Sequence, residues 1–529
     1  MKHISRDEQL RNMVKQDAWD LVVIGGGATG LGVALDSSSR GLKTLLLERD
    51  DFTKGTSSRS TKLVHGGVRY LKQGHIPLVL EALHERGLLR KNAPHLVRPL
   101  RFILPANRLW KRWFYGIGLK LYDLLARKLK LGKSRFLKNQ MLSELVPSLK
   151  VDQLSGGVLY FDGQMDDARL GLALAKTAVE YGATVLNYCE VLGFNFDKEG
   201  QIEAVLFKDN TDTDNDDITG KYVVKAKAVV NATGVFVDEI RLLENPQRSP
   251  MVKPSQGAHI VLPKKFLPGD TAIIFPETKD GRVLFAIPWY DKVLVGTTDH
   301  FLEKIEREPK PFEEELISIL EHIEEHLNPK PSKSDVLAVF AGLRPLVVPN
   351  AEENNSAAIS REHSVFFGAG GLCHVTGGKW TTYRKMAEDV LNQLIKKGLI
   401  EALSCQTKSL KLVGWQEQEG PINVQSIYGA ESLLVEQIAN EQASYQELIH
   451  PHLPYRYAEV IYAIRYEWAV TLEDILSRRT RALLLDAQAT IDCAPQVATL
   501  LAEELGKDEQ WCQDQLKSFN HVAQGYLWS

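Results

Sequence analysis

One short stretch constrains the fold more than any other. Leu21-Val22-Val23-Ile24 is an aliphatic run of strand length that passes directly into Gly25-Gly26-Gly27-Ala28-Thr29-Gly30. A helical segment follows from Leu31 to Arg40, closed by Gly41, and a second strand, Thr44 to Leu47, ends at Glu48. Strand, glycine loop, helix, strand and acid, in that order, make a dinucleotide-binding unit. Gly25 permits the tight turn, Gly27 lets the backbone approach a pyrophosphate, and Gly30 lets the helix pack close to the strand. The first turn, with Ala28 and Thr29, offers free N–H groups and the positive end of the helix dipole to phosphates. Glu48 is placed to accept hydrogen bonds from ribose hydroxyls.

At 529 residues the chain exceeds one hydrophobic core, so two or three domains are expected. The fold class is α/β: a Rossmann-like nucleotide domain, a mixed or antiparallel-sheet substrate domain, and a C-terminal helical domain. The nucleotide domain is expected in three pieces, 18–85, 165–245 and 345–398. A helical, basic insertion spans 86–164, a strand-rich cap 246–344, and the helical domain 399–529. The Asp-rich stretch Asn210 to Asp217 reads as a polar hairpin tip. A net charge of −3 leaves no basic excess, so no nucleic-acid partner is expected. The five cysteines form no CxxC pair, which points to a reducing compartment, and no cluster has metal-ligand spacing. No run of about 18 apolar residues occurs that could cross a membrane. The first twenty residues mix acids with bases, unlike a signal or transit peptide, so the cytoplasm is the expected location.

Two later segments favour FAD over NAD. Ala228 to Asn231 is a strand that ends in Ala232-Thr233-Gly234, a turn suited to close approach of a nucleotide. Phe366 to Gly371 precedes a second glycine cluster, Gly377-Gly378-Lys379. A flavin needs contacts from such remote parts of the chain. No second complete GxGxxG loop is present, so electrons are expected to leave to an acceptor other than NAD.

Three motifs carry a more specific signal. They are Gly55-Thr56-Ser57-Ser58-Arg59-Ser60-Thr61-Lys62-Leu63-Val64-His65-Gly66-Gly67-Val68-Arg69-Tyr70-Leu71, then Gly342-Leu343-Arg344-Pro345-Leu346, then Gly377-Gly378-Lys379-Trp380-Thr381-Thr382-Tyr383-Arg384. In this order, between about residues 18 and 395, they resemble the FAD-dependent glycerol-3-phosphate dehydrogenases, relatives of the D-amino-acid-oxidase-like flavoproteins. The resemblance implies oxidation of sn-glycerol 3-phosphate with electrons passed to membrane quinone, and a homodimer. Oxidases of the same substrate, which release hydrogen peroxide, and amine or amino-acid oxidases are the alternatives. The run Gly377 to Arg384 is like that of the mitochondrial members. The chain ends without their calcium-binding loop, which suggests a bacterial-type enzyme.

The residues agree with this resemblance. Thr56, Ser57, Ser58, Ser60 and Thr61 make a hydroxyl-rich loop suited to diphosphate and flavin contacts. The cofactor-binding set expected from the motifs extends to Leu63, His65, Gly66, Gly67, Gly378, Lys379 and Thr381. A phosphate dianion calls for cations of fixed geometry, and Arg69, Arg344, Arg361 and Lys379 are the candidates, with Tyr70 to donate to the phosphate or pack under the flavin. Oxidation of a secondary alcohol needs a base for the hydroxyl proton, and His65 is assigned that role or the holding of substrate. Arg344 and Lys379 would stabilise the developing alkoxide.

One further segment bears on the acceptor. Trp110, Trp113, Phe114, Ile117, Leu121, Leu124 and Leu125 fall at helical spacing among Lys111, Arg112, Lys120, Arg127, Lys128 and Lys130. This pattern suits a helix lying in a membrane interface, which would place the chain peripherally on the cytoplasmic face. The alternative is a helix that packs its apolar stripe on the body, and Gly116 and Gly118 weaken a continuous helix.

Overall fold

The computed structural model describes residues 4–68, 71, 74–211, 220–278, 281–347 and 363–528, which carry two sheets and a helical C-terminal region. The first sheet is built on the nucleotide unit. β1 (Trp19–Ile24) runs parallel to β2 (Thr44–Leu47) on one side and to β10 (Lys221–Asn231) on the other. Beyond β2 lies β7 (Thr184–Leu186); beyond β10 lie β18 (Cys373–Gly377) and, antiparallel at the edge, β17 (His363–Phe367). Strands β8 (Cys189–Phe196) and β9 (Ile202–Asp209) extend the early part of β10 as antiparallel neighbours. Most of the Asp-rich stretch 210–217 lies outside the described residues.

Counted in chain order, the five parallel strands lie third, second, first, fourth, fifth across the sheet. The order therefore reverses between β1 and β10, and a crevice opens at their carboxyl ends. Leu21, Val22 and Val23 are fully buried, as expected of a parallel strand covered on both faces. Helix α1 (Ala28–Ser39) packs on this sheet with the helices Asp167–Glu180 and Tyr383–Lys396 against it.

The second sheet departs from the expected domain limits. Besides the cap strands β11 (Val252–Pro263), β12 (Thr271–Phe275), β13 (Leu284–Trp289), β14 (Lys292–Gly296), β15 (His300–Phe301) and β16 (Ala338–Val347), it takes β3 (Leu63–Val64), β4 (Val97–Pro105), β5 (Arg135–Leu137) and β6 (Gly157–Met165). The supposed insertion 86–164 thus contributes β4, β5 and most of β6 to this sheet. β4 carries two arginines and two prolines, which obscure its alternation. It is a strand because β6 and β12 flank it.

What projects from this region are helices α2 (Ile76–Asn92) and α3 (Leu109–Leu125). α3 is continuous through both glycines: a side chain at Gly116 would collide with the Phe136 ring, so glycine is what lets the helix sit close on β5. The buried face is Gly116, Leu119 and Tyr122. The aromatic and aliphatic stripe points outward, with Trp113 60%, Ile117 64% and Leu124 72% exposed. Six residues of the stripe are exposed in this way, while Leu125 packs on the body beside Val79 and Leu83.

The C-terminal helices, including Tyr457–Tyr466, Ala487–Leu505 and Glu509–Ala523, share one continuous apolar core with the first sheet. Buried ion pairs join them to it. Asp51 accepts from Arg478 and Arg479, and Glu467 receives Arg169 in a fork at 2.5 and 2.6 Å. Asp167 accepts from Lys62 at 2.8 Å and from Arg481 at 3.0 Å, all three side chains being fully buried. Lys62 and Arg481 both hold left-handed backbone, φ 61° and 63°, a conformation that these contacts maintain.

Truncating Asp167 to Ala leaves Lys62 buried without its carboxylate and Arg481 with Asp166, 3.8 Å away, as its remaining ion-pair partner among the described residues. The expected loss is about 3–5 kcal/mol of unfolding free energy. Chemical denaturation measures it, and a loss within experimental error would show that the cluster is not what holds the segment Asp474–Arg481 to the first sheet.

Candidate active site

The crevice at the β1–β10 switch is the starting point of one large cavity of about 1570 Å³. Ordinary small-molecule sites occupy roughly 300–1,000 Å³, so there is room for a dinucleotide and a substrate together. The backbone is shaped for close approach. Gly25 has φ +107°, and a Cβ there would stand 2.8 Å from the Ala232 carbonyl oxygen. A Cβ on Gly30 would overlap the Gly25 carbonyl oxygen, so α1 can reach the loop only because that position is bare. Gly27, Ala28, Thr29, Glu48, Ala232, Thr233 and Gly234 line the cavity from both sides of the switch. Gly30 supports the loop from behind.

Two of the expected cofactor residues are engaged by the protein itself. Ser57 Oγ accepts the Ala28 N–H at 2.9 Å, so it caps the helix end that was assigned to phosphate. Glu48 accepts the Gly26 N–H at 2.5 Å and the Asp50 N–H at 2.8 Å. Burial, with Asp50 nearby, pushes its carboxyl up to about 7 despite these bonds. Hydroxyl donors from a ribose are the kind of partner that such a desolvated carboxylate lacks. The crevice residues therefore fit an FAD molecule.

Beyond the crevice the three motifs converge. Thr56 Oγ1 donates to the Leu343 carbonyl at 2.6 Å, and Trp380 Nε1 donates to the Ser57 carbonyl at 2.9 Å. The Thr381 hydroxyl lies between the backbone N–H and C=O of His65, at 3.3 and 3.4 Å. Thr56, Ser57, Ser60, Thr61, Leu63, His65, Gly67, Arg344, Gly378, Lys379 and Thr381 all face the cavity. Ser58 and Gly66 do not line it. The Ser58 carbonyl accepts from Lys62 and Arg481, and the Gly66 N–H donates to the Tyr122 hydroxyl at 2.8 Å. Arg69, Tyr70 and Arg361 lie outside the described residues.

Arg344 is fixed on four acceptors: the Gln256 carbonyl at 3.3 Å, Asp299 at 3.2 Å, Thr297 Oγ1 at 3.0 Å and the Thr298 carbonyl at 3.1 Å. The space for it comes from Gly257, paired with Gly342 across β11 and β16, since a Cβ at Gly257 would collide with the guanidinium. His259, on the same strand, was not singled out from the sequence. It is buried, stacked on Phe340, and its Nε2 lies 3.0 Å from Thr61 Oγ1. Burial, then the charges of Lys62 and Arg344, hold its pKa well below the ordinary histidine value, so it stays neutral. A histidine in an apolar strand resembles any core histidine. Only the sheet-to-loop contact shows it at the site. Away from the cavity, His322, Glu325 and His326 bring possible ligand atoms within 4.8 Å of one another, a grouping that was not read from their helical spacing.

Because the carboxyl of Glu48 is raised in the folded chain, its favourable contribution is complete below its ordinary pKa of 4.5 and is lost as pH rises through about 7. In the flavin-free protein, Glu48→Gln should therefore flatten the fall in stability between these two pH values. Parallel pH–stability curves for the two proteins would refute this.

The comparisons with known proteins come to the same place. A family model described as FAD dependent oxidoreductase matches residues 20–384, and one described as the C-terminal domain of alpha-glycerophosphate oxidase matches 405–512. The chain is 39% identical to the mitochondrial glycerol-3-phosphate dehydrogenase of Homo sapiens, over 99% of this chain and 76% of that protein. It is 40% identical to the probable mitochondrial glycerol-3-phosphate dehydrogenase of Dictyostelium discoideum, over 96% and 84%. Its fold superposes on the glycerol-3-phosphate dehydrogenase of Bacillus halodurans, solved in complex with FAD, with a TM-score of 0.78 and 29% identity over 99% and 97% of the two chains. The chain belongs to the FAD-dependent oxidoreductases of the glycerol-3-phosphate dehydrogenase family.

Proposed function

We propose that this protein oxidises sn-glycerol 3-phosphate to dihydroxyacetone phosphate with FAD as cofactor and passes the electrons to a membrane quinone. The observation that carries this is the meeting of His65, Arg344 and Lys379, from three separated motifs, in the cavity that begins at the dinucleotide crevice. Two cations suit a phosphate dianion and a developing alkoxide, and an uncharged alcohol would not require both. When bound, FAD supplies the hydride acceptor. His65 takes the proton from the C2 hydroxyl. Arg344, immobile on its acceptors, stabilises the negative charge that this creates, and Lys379 shares that task with phosphate binding. His259 stays neutral and orients the Thr61 hydroxyl. Arg69, Tyr70 and Arg361 complete the phosphate pocket in this proposal.

Two observations support a quinone as acceptor. The cavity extends to Phe114, Ile117 and Leu121 on α3, and the same helix presents Trp110, Trp113 and Leu124 to solvent among basic residues. An apolar stripe of this kind is suited to the headgroup–acyl boundary of an anionic membrane. Among the described residues no helix is long and apolar enough to cross a membrane, which accords with peripheral attachment. We place the protein on the cytoplasmic face, as a homodimer.

Arg344→Gln should lower kcat/KM for glycerol 3-phosphate by about 10²–10³-fold while the bound-flavin content is unchanged. His65→Asn should lower kcat by about 10²–10⁴-fold and remove the acidic limb of the kcat/KM–pH profile. If His259→Asn removes that limb and His65→Asn keeps it, the two histidines exchange roles. Trp110→Glu with Trp113→Glu should abolish co-sedimentation with anionic lipid vesicles and quinone reduction, and leave reduction of a soluble dye intact. Undiminished co-sedimentation would rule out α3 as the contact.

A further inference from the structure

A buried guanidinium away from the active site lacks, among the described residues, the carboxylate partner that such a group requires. Arg98, on β4, is 2% exposed. Its Nη2 donates to Gln418 Oε1 at 2.6 Å, but its Nε and Nη1 meet no acceptor among the described residues, and no carboxylate there lies within ion-pair distance. Removing a guanidinium from water is costly unless a counter-charge and hydrogen bonds replace the lost hydration. Arg98 lines a second cavity of about 590 Å³, together with Arg90, Arg101, Gln418 and Asn423. Three acids, Asp270, Asp291 and Glu419, are also in its wall. Asp291 is already paired with Lys292 at 2.7 Å, and Asp270 lies 3.8 Å from Lys264. Burial and then the charge of Arg90 lower the pKa of Arg98, and Glu417 only partly opposes them. The field at Arg98 is one that an anion would relieve.

We propose that this cavity is a second anion site, which holds a phosphate group on the fork of Arg98 with Arg90 as the neighbouring cation. The planar guanidinium with unused N–H groups suits the oxygens of a tetrahedral phosphate, whether free or carried by a small metabolite. The site is separate from the active site. The two cavities share no lining residue, and along α2 the step from Ile76, in the first, to Arg90, in the second, is about 21 Å at the usual helical rise. Here the end of α2, the second sheet and the segment 418–425 that leads into the C-terminal helices meet. A bound phosphate bridges all three, so it stabilises the folded holoenzyme by mass action.

Thermal unfolding of the holoenzyme, with inorganic phosphate replacing chloride at constant ionic strength, tests this. In the unaltered protein the midpoint should rise and saturate. Arg98→Met should abolish the rise and, without phosphate, should be no less stable than the unaltered protein, because an uncompensated charge has gone. Arg98→Lys, which keeps the charge but not the fork, should shift half-saturation to at least about tenfold higher phosphate. Lys379→Gln, which removes the described cation assigned to the substrate's phosphate, should retain the rise, and glycerol 3-phosphate should reproduce it in that variant. A rise lost in Lys379→Gln and kept in Arg98→Met would place the phosphate in the substrate cavity and overturn the proposal, as would no rise at all. A loss of stability in Arg98→Met that is equal with and without phosphate would make Arg98 a structural partner of Gln418 and would also overturn it.

Discussion

A buried carboxylate must be surrounded by donors, and Asp167 collects them from segments that are far apart in the chain. It accepts the Ser60 N–H and hydroxyl from the loop that faces the cavity, the Lys62 ammonium from the end of that loop, and the Arg481 guanidinium from the C-terminal region. Since the low dielectric of the interior makes an unpaired charge so costly, the four groups are ordered together or not at all. The loop that carries Thr56 to His65 is thereby held from behind, and its front is left to line the cavity. The C-terminal helices, which among the described residues contribute no side chain to the cavity wall, still act on the site by fixing the loop that does.

The front of the site follows a similar logic of close approach. Gly25 and Gly30 bring α1 and β10 together at the switch, Gly257 clears the floor on which Arg344 lies, and Gly342 leaves room for the Arg59 backbone of the loop. Arg344, in turn, is held by a carboxylate, two carbonyls and a hydroxyl, so its position is set before any substrate arrives. One cavity connects this preorganised end to the outward-facing stripe of α3. A helix that exposes several large apolar residues while it buries Gly116, Leu119 and Tyr122 is built to be covered by something other than its own body.

The nucleotide unit was legible because every part of it is local: a strand, a loop, a helix and an acid within some thirty residues, each with its own steric reason. The apolar stripe of α3 was legible for the same reason, through its helical period. The side chains that complete the site were less so. His259 lies on the ordinary-looking strand β11, and Asp299 in the short link between β14 and β15. His259 reaches the site because the second sheet crosses the loop at Thr61, and Asp299 reaches it through Arg344 on β16. β4 could not be read as a strand from its own residues, since its prolines and arginines are tolerated only beside β6 and β12.

What the sequence by itself determined is the chemistry that a short stretch of backbone can present: a dinucleotide crevice, a hydroxyl-rich loop, and cations and a histidine within recognisable motifs. What only the tertiary structure decided is which groups are already in use and which remain available. Ser57 caps a helix, Glu48 is turned to backbone donors with its carboxyl raised, and Arg478, Arg479 and Arg481 are structural counter-charges. Hydrogen bonding and desolvation depend on neighbours distant in sequence, and those neighbours exist only once the chain has folded.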